Sequence, residues 1–290
     1  MRLGIATPIV VRFPGTHAEW EGGAGIAELA EIAAAGERLG YHHISCSEHV
    51  AVPAALEATR GATYWDPLAT LGYLAARTAR LRLLTNVLVL GYHHPLDIAK
   101  RYGTLDRVSG GRLIIGVGVG SLREEFELLG APFDDRGPRG DDAMAALRAS
   151  LSRRVTSYDG RYYQYRDFVV DPHAVQARVP LWVGGRTRRS LRRAVTLGDG
   201  WVPFALTLEQ ASDMLSSFEL PDGFDVVLGP ETPLDPVADP AGAEAALDRL
   251  GRAGTTVAVG RVVHTSLAHY IEQMEALAAV AAASAFAGDA

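Results

Sequence analysis

The sequence lacks the features that would place this protein in several common classes. Its 290 residues contain one cysteine, Cys46, which excludes an internal disulfide framework. No apolar run approaches the roughly 18 residues of a membrane span. The first residues, MRLGIATPIV, lack the long apolar core and cleavage site of a signal peptide. We therefore expect a soluble cytoplasmic protein.

Excess positive charge and metal-ligand patterns are missing as well. The formal net charge is −6, which gives no electrostatic reason to expect a nucleic acid partner. The nine histidines show no HExxH or other metal spacing, so no metal is predicted. The GVGVG run does not match the dinucleotide-binding pattern GxGxxG, and no P-loop or nucleophile elbow is present.

Short apolar strands and amphipathic helices alternate along the whole chain. Continuous apolar strands separated by helices are typical of a parallel sheet covered by helices. Eight such units favour a closed (β/α)₈ TIM barrel of one domain, residues 1–290, over an open doubly wound sheet. The predicted strands lie at 3–7, 42–48, 81–90, 112–120, 181–185, 200–204, 225–229 and 256–263.

One stretch between the fourth and fifth strands, about residues 121–179, is longer than a single helix requires. The Asp159–Gly160 pair lies between tyrosine-rich runs and predicts a β-hairpin. Long insertions in compact domains tend to be functional, so we expect the hairpin over one end of the barrel. The alanine-rich C-terminal end predicts a helix that frays.

Glycines cluster at two predicted strand ends, where barrels build their active sites. Gly116, Gly118 and Gly120 end the fourth strand, and Gly184 and Gly185 end the fifth. Glycine at such a position permits close approach of a flat or phosphorylated ligand to backbone N–H groups. The alternative is that these glycines make tight turns or relieve crowding inside the barrel.

Polar side chains at strand ends also have two interpretations. His49, beside Glu48, can exchange a proton with a ligand or be satisfied at a loop start. Asn86, inside the apolar third strand, contacts a ligand or satisfies a local bulge. Of the neighbours His93 and His94, at most one is expected to face a pocket.

The arginines after the fifth strand and the single cysteine are two further candidates for a functional role. Arginines crowd the helix after the fifth strand, and those at its N-terminus, Arg186 included, could meet a phosphate. Cys46 is interpreted as a buried structural thiol in preference to a reactive one.

Four segments together resemble the luciferase-like monooxygenase superfamily. They are HPLDIAKRYGTLDRVSGGRLIIGVGVG, REEFELLGAPFDDRGPRGDDAMAALRA, YDGRYYQY and PLWVGGRTRRSLRRAVTLGDGW. More narrowly, they resemble its branch of oxidoreductases that use the deazaflavin coenzyme F420. The resemblance covers roughly residues 1–205, and members that use FMN share most of the pattern.

The resemblance implies that the barrel holds a flavin-like ring at the C-terminal ends of its strands. It implies a bulge with a non-prolyl cis peptide at Asn86–Val87 and a catalytic His49 that gives or takes a proton. Tyr162, in a wall or lid, and Trp65 are the candidate substrate-binding residues, and the alternative for Trp65 is structural burial. The implied cofactor-binding residues are Glu48, Asn86, Val87, Gly118, Val119, Gly120, Gly184, Gly185 and Arg186.

The expected activity is hydride transfer between coenzyme F420 and an unknown small organic substrate. One alternative is an FMN-dependent two-component monooxygenase of the same superfamily, and another is a flavin-binding protein with little turnover. Some F420-dependent dehydrogenases have an acidic residue where this chain has Ser121, which argues against a sugar-phosphate substrate. An unrelated aldolase or isomerase barrel would need a lysine or paired carboxylates at strand ends, and these are scarce. A homodimer is possible, as in many family members.

Overall fold

The structure is a computed structural model that describes residues 1–283. The last part of the predicted fraying helix, residues 284–290, lies outside the described residues. The strands are β1 (Arg2–Ile5), β2 (Val11–Arg12), β3 (His43–Cys46), β4 (Thr63–Tyr64), β5 (Arg82–Val89), β6 (Leu113–Gly118), β7 (Val155–Asp159), β8 (Gln164–Val169), β9 (Leu181–Gly184), β10 (Gly200–Val202), β11 (Asp225–Leu228) and β12 (Val257–Gly260).

Helices follow most of the strands. They are α1 (Ile26–Arg38), α2 (Glu57–Arg60), α3 (Pro67–Arg77), α4 (Pro95–Val108), α5 (Arg123–Leu128), α6 (Arg136–Ser150), α7 (Arg188–Leu197), α8 (Leu208–Leu215), α9 (Pro240–Arg252) and α10 (Leu267–Ala283). Several begin as the sequence predicts: Asp66 accepts a hydrogen bond from the N–H of Ala69, and Pro67 follows it.

Eight strands close into a parallel barrel, in the order β1, β12, β11, β10, β9, β6, β5, β3 and back to β1. This confirms the predicted (β/α)₈ fold, and the open-sheet alternative is wrong. The observed barrel strands end one to three residues before the predicted ends at 7, 48, 90, 120, 185, 204, 229 and 263. The residues beyond each strand form the loops at its C-terminal end.

The barrel interior is filled by side chains, so it is a packed core and not a channel. Six buried residues form its centre: Leu84, Ile114, Trp182, Val202, Val227 and Val257. A second, larger core lies between the barrel and the helices. Full burial of each aliphatic side chain contributes about 1.5–3 kcal/mol to folding.

The N-terminal end of the barrel is closed by two histidines at the start of β3. His43 is 1% exposed and packs edge-on against Trp182, while His42 stacks on the same indole. Burial, reinforced by nearby Arg2 and Arg82, lowers the pKa of His42 to about 2 and that of His43 to about 3. Both rings are therefore neutral parts of the core at neutral pH.

A bulge in β5 explains two of the strand-end glycines. The register against β6 shifts between Thr85 and Leu88, and the Asn86–Val87 peptide is cis, as the resemblance implied. A Cβ on Gly118 or Gly184 would lie 2.6 Å or 2.7 Å from a Val87 methyl group. Both positions therefore need glycine because Val87 fills the space between them.

The predicted hairpin is present in the insertion, as the antiparallel pair β7 and β8. Its turn spans residues 160–163, with Asp159 and Gly160 at the turn's start. The Asp142 carboxylate on α6 accepts hydrogen bonds from the Tyr158 hydroxyl and from the N–H groups of Tyr162 and Tyr163. These bonds hold the hairpin against the outer helix α6.

Candidate active site

Three hollows open at the C-terminal end of the barrel. The central cavity has a volume of about 360 Å³. A side chamber of about 560 Å³ lies towards β1 and β12, and an outer groove of about 620 Å³ lies towards β10 and β11. Asn86 and Phe204 line all three, so they mark the point where the hollows meet.

The central cavity brings together most of the site residues proposed from the sequence. These are Glu48, His49, Asn86, Val87, Gly118, Val119, Gly120, Gly184 and Gly185. They come from the ends of β3, β5, β6 and β9, which are neighbours in the barrel. Closure of the sheet thus gathers residues that are more than 130 positions apart in the chain.

Three other proposed residues do not line this cavity. Arg186 is exposed, with its guanidinium carbon 5.8 Å from the centre of the Phe204 ring. Trp65 packs partly buried against the main core, and Tyr162 lies on the hairpin under Arg139. Their roles in binding stay predictions.

Three residues that line the central cavity carry polar groups without a hydrogen-bond partner among the described residues. The Asn86 carboxamide makes no hydrogen bond within residues 1–283, and neither do the backbone N–H groups of Gly120 and Ser121. Meanwhile the carbonyl oxygen of Asn86 accepts a hydrogen bond from the Ser47 hydroxyl at 2.7 Å. The carboxamide and the two N–H groups are therefore available to a ligand with a polar edge.

His49 is oriented by a buried carboxylate that sequence reasoning missed. Glu125, on α5, is 1% exposed, and its Oε2 lies 2.7 Å from His49 Nδ1. The same carboxylate accepts hydrogen bonds from the Tyr92 hydroxyl and from the N–H groups of Val50 and Ala51. Because Nδ1 is hydrogen-bonded to Glu125, Nε2 is the ring nitrogen that remains available to a ligand.

The surroundings of Glu125 keep it ionised. Burial pushes the pKa of Glu125 upward, but the hydrogen bonds from His49, Tyr92 and Val50 outweigh burial and leave the pKa below its ordinary value. Burial, together with the bond to Glu125, raises the pKa of the Tyr92 hydroxyl. Tyr92 is therefore a neutral donor, and the carboxylate carries the charge.

Glu48 is occupied within the protein. Its Oε2 accepts a hydrogen bond from the Val89 N–H at 2.6 Å, and its Oε1 lies 2.7 Å from His93 Nε2. Glu48 therefore fixes the end of β5 from the cavity wall. His94 instead caps α4 with its Nδ1.

Sequence reasoning missed six other residues of the cavity wall: Ser47, Arg60, Tyr64, Val89, Tyr92 and Phe204. Arg60 comes from α2, a one-turn helix without clear periodicity in the sequence, and none of the ion pairs in residues 1–283 includes it. Phe204 is 57% exposed, although it is a large apolar side chain. Its position just past β10 could have marked it, because strand ends carry the site in this fold.

Cys46 is buried, and its thiol donates to the carbonyl oxygen of Trp65 at 3.4 Å. Burial raises the pKa of this thiol to about 12, as expected of a structural thiol.

In the described chain, no group of three or more acidic, histidine or cysteine side chains is arranged to hold a metal ion. None of the helices within residues 1–283 has both the length and the apolarity to cross a membrane.

Curated sequences similar to this chain include two uncharacterised proteins of Mycobacterium tuberculosis. One is 33% identical over 138 residues, which cover 47% of this chain and 49% of that protein. The other is 30% identical over 183 residues, which cover 59% of this chain and 63% of that protein. The chain thus spans about half the length of the first relative.

Solved structures share the fold at low sequence identity. The monooxygenase RslO1 from Streptomyces bottropensis superposes with a TM-score of 0.77 at 22% identity, covering 96% of this chain and 98% of that one. The coenzyme F420-dependent tetrahydromethanopterin reductase from Methanopyrus kandleri gives 0.68 at 15% identity, covering 88% and 94%. The FMN complex of the oxygenating constituent of 3,6-diketocamphane monooxygenase from Pseudomonas putida gives 0.70 at 14% identity, covering 96% and 97%.

A family model described as luciferase-like monooxygenase matches residues 1–220, well over half of the chain. The closed barrel, the Asn86–Val87 bulge and the insertion between β6 and β9 agree with that match. The chain belongs to the luciferase-like monooxygenase family.

Proposed function

We propose that this protein is an oxidoreductase that transfers a hydride between coenzyme F420 and a small organic substrate. One observation carries the proposal: a cavity bordered by unpaired backbone and carboxamide groups has His49, held by the buried Glu125, in its wall. Polar groups without protein partners and a proton-transferring histidine in one cavity suit a planar ring that exchanges a hydride.

The residues present fit such a ring. The N–H groups of Gly120 and Ser121 and the Asn86 carboxamide would bind its polar edge, and the β5 bulge would support it. Gly184, Gly185 and Arg186 lead into the N-terminus of α7, where a phosphate is stabilised by the helix dipole. When bound, the deazaflavin supplies the hydride chemistry, and the protein supplies orientation and exclusion of water.

His49 has a defined part in this scheme. Its Nδ1 proton is held by the ionised Glu125, so its Nε2 accepts a proton from the substrate or donates one to it. Tyr92 and the N–H groups of Val50 and Ala51 hold the carboxylate in turn. His49 thereby stays in one orientation while its outer nitrogen changes protonation.

An FMN-dependent monooxygenase is the second candidate, because the solved structures with this fold include a monooxygenase constituent in complex with FMN, and Ser121 weakens the likeness to some F420-dependent dehydrogenases. A small neutral side chain lies where some F420-dependent dehydrogenases have an acidic one. Without that acid, the cavity offers His49 as its proton-transferring group towards a substrate.

Parallel titrations with F420 and FMN test the two candidates. We expect saturable quenching of F420 fluorescence at micromolar or lower concentration and at least tenfold weaker binding of FMN. The reverse order would replace the proposed activity with the monooxygenase. Binding of neither cofactor would remove both, and tight binding without turnover on any acceptor would identify a flavin-binding protein.

A further inference from the structure

The side chamber contains a cation without an acidic partner. Arg261 follows β12 and lines both the side chamber and the outer groove. Its guanidinium makes one hydrogen bond, to the backbone oxygen of Glu231 at 3.3 Å, and none of the ion pairs in residues 1–283 includes it. A guanidinium has about five N–H donors, so most of them remain for a ligand.

The acidic group in the same chamber is already satisfied. Glu21 is 3% exposed, and its two oxygens accept hydrogen bonds from the N–H groups of Ile9 and Ala18, each at 2.8 Å. His264 receives a hydrogen bond from the Trp20 indole at 2.9 Å, and its burial lowers its pKa. His264 is therefore neutral at neutral pH, and the charge exposed to a ligand is that of Arg261.

The rest of the chamber wall is mixed. Thr7, Ser45 and Ser47 contribute hydroxyl groups, while Val10, Phe13 and Tyr270 contribute apolar surface. Its volume of about 560 Å³ is that of a pocket for a small organic molecule. A molecule with an apolar body and one anionic group would satisfy both kinds of surface.

The position of the chamber separates it from the proposed phosphate site. Going around the barrel, β1 lies opposite β9, and Gly184 and Gly185 lie at the end of β9. The chamber meets the central cavity at Ser47, Asn86 and Phe204. A molecule in the chamber would therefore lie beside a ring bound in the central cavity, on the side away from the phosphate.

We propose that the side chamber binds the substrate and that this substrate is an organic carboxylate whose charged group pairs with Arg261. The inference rests on the proposed function, because it names the substrate class for that site. Arg261 positions the acid, and the apolar wall holds its body next to the central cavity.

The test compares acids with neutral amides of the same shape. Benzoate against benzamide, and phenylacetate against phenylacetamide, are titrated by calorimetry into the full chain and into the variants Arg261→Gln, Arg261→Lys and Arg252→Gln. Arg252 is an exposed arginine on α9, so its variant makes the same change of charge away from the site.

We expect at least one acid to bind about tenfold tighter than its amide, since charge-assisted hydrogen bonds are about twice as strong as neutral ones. Arg261→Gln should remove that preference and leave amide binding within twofold. Arg261→Lys should keep part of the preference, and Arg252→Gln should match the unmodified chain. Equal affinity for acid and amide, no binding of either acid, or full acid binding by Arg261→Gln would overturn the proposal.

Cofactor titrations separate this proposal from the one on which it rests. Arg261→Gln should bind F420 and FMN within twofold of the unmodified chain. A tenfold loss of cofactor affinity would assign Arg261 to the cofactor and overturn the substrate role. If the unmodified chain bound neither cofactor, the proposed function would fail, while the acid and amide titrations would still report on the chamber.

Discussion

Histidines lie at both ends of the barrel, but their surroundings differ in burial and in the sign of the neighbouring charges. At the N-terminal end, His42 and His43 lie against Trp182, near the cations Arg2 and Arg82, and burial lowers their pKa values to about 2 and about 3. At the C-terminal end, His49 is 21% exposed in its side chain and faces the ionised Glu125.

This difference shows that the neighbouring groups of a histidine, and not the residue type alone, decide whether it is structural or reactive. Cations and low polarity around an imidazole oppose its protonation, whereas a carboxylate at 2.7 Å holds one ring nitrogen and leaves the other for chemistry. One end therefore uses histidine as a space-filling polar ring, and the other uses it as a candidate catalyst. Four changes sharpen or break this comparison.

Replacing His49 with alanine should have the largest effect. Loss of the proton-transferring group should lower turnover by about 10²- to 10⁴-fold, while cofactor affinity stays within about threefold. Steady-state kinetics and fluorescence titration measure the two quantities. Arg252→Gln, at an exposed site on α9 outside the three hollows, serves as the control. Turnover within twofold of the unmodified chain would remove His49 from the mechanism.

Gly4→Ala should damage the closed end without touching the chemistry. The added Cβ would lie 2.3 Å from Cε1 of His43, so we expect a loss of about 1–3 kcal/mol in the free energy of unfolding. Gly72 on α3 has no heavy atom within 4 Å of the Cβ position, so Gly72→Ala should instead gain up to about 1 kcal/mol. Urea denaturation measures both, and equal stability of the two variants would contradict the packing of His43 under Gly4.

Glu125→Gln tests the support of His49 at the open end. The imidazole remains, but its charged partner is gone, so turnover should fall by about tenfold, less than for His49→Ala. Stability is measured alongside, since Glu125 also binds the N–H groups of Val50 and Ala51. The double variant with His49→Ala should be no slower than His49→Ala alone. An additional tenfold loss in the double variant would show that Glu125 acts independently.

Lowering the pH should reduce the stability of the folded state through His42 and His43, at the N-terminal end of the barrel. The folded pKa values of His42 and His43 are depressed, so below the unfolded value of about 6.5 only the unfolded chain takes up these protons. The free energy of unfolding should therefore fall as the pH drops from about 6.5 to 5, by up to about 1.4 kcal/mol per pH unit for each histidine. In urea titrations at several pH values, the free energy of unfolding of His42→Gln should fall less steeply with pH than that of the unmodified chain. Identical slopes in His42→Gln and the unmodified chain would show that His42 is not held neutral.

The barrel could be predicted from the sequence because its strands are continuous apolar runs between helices with clear caps. β10 illustrates the limit: residues 200–204 were predicted, but the strand ends at Val202, before Pro203, which has no N–H to donate. The two-residue strands β2 and β4 were missed because they exist only through pairing with each other across the chain.

Site residues at strand ends could be predicted from the sequence. Contacts between residues far apart in the chain could not. His49 could be proposed from its place after β3, but Glu125 is 76 residues away and nothing in its spacing indicates the pairing. Gly118 and Gly184 were proposed from their place at strand ends, and both line the central cavity. Their crowding against Val87, however, depends on the bulge, which no periodicity in β5 reveals.

Trp182 and the apolar side chains around it fill the barrel interior and block passage through it. Any ligand must therefore enter and leave at the C-terminal end of the barrel. A reaction product that stayed bound where the three hollows meet, at Asn86 and Phe204, would therefore block the next substrate.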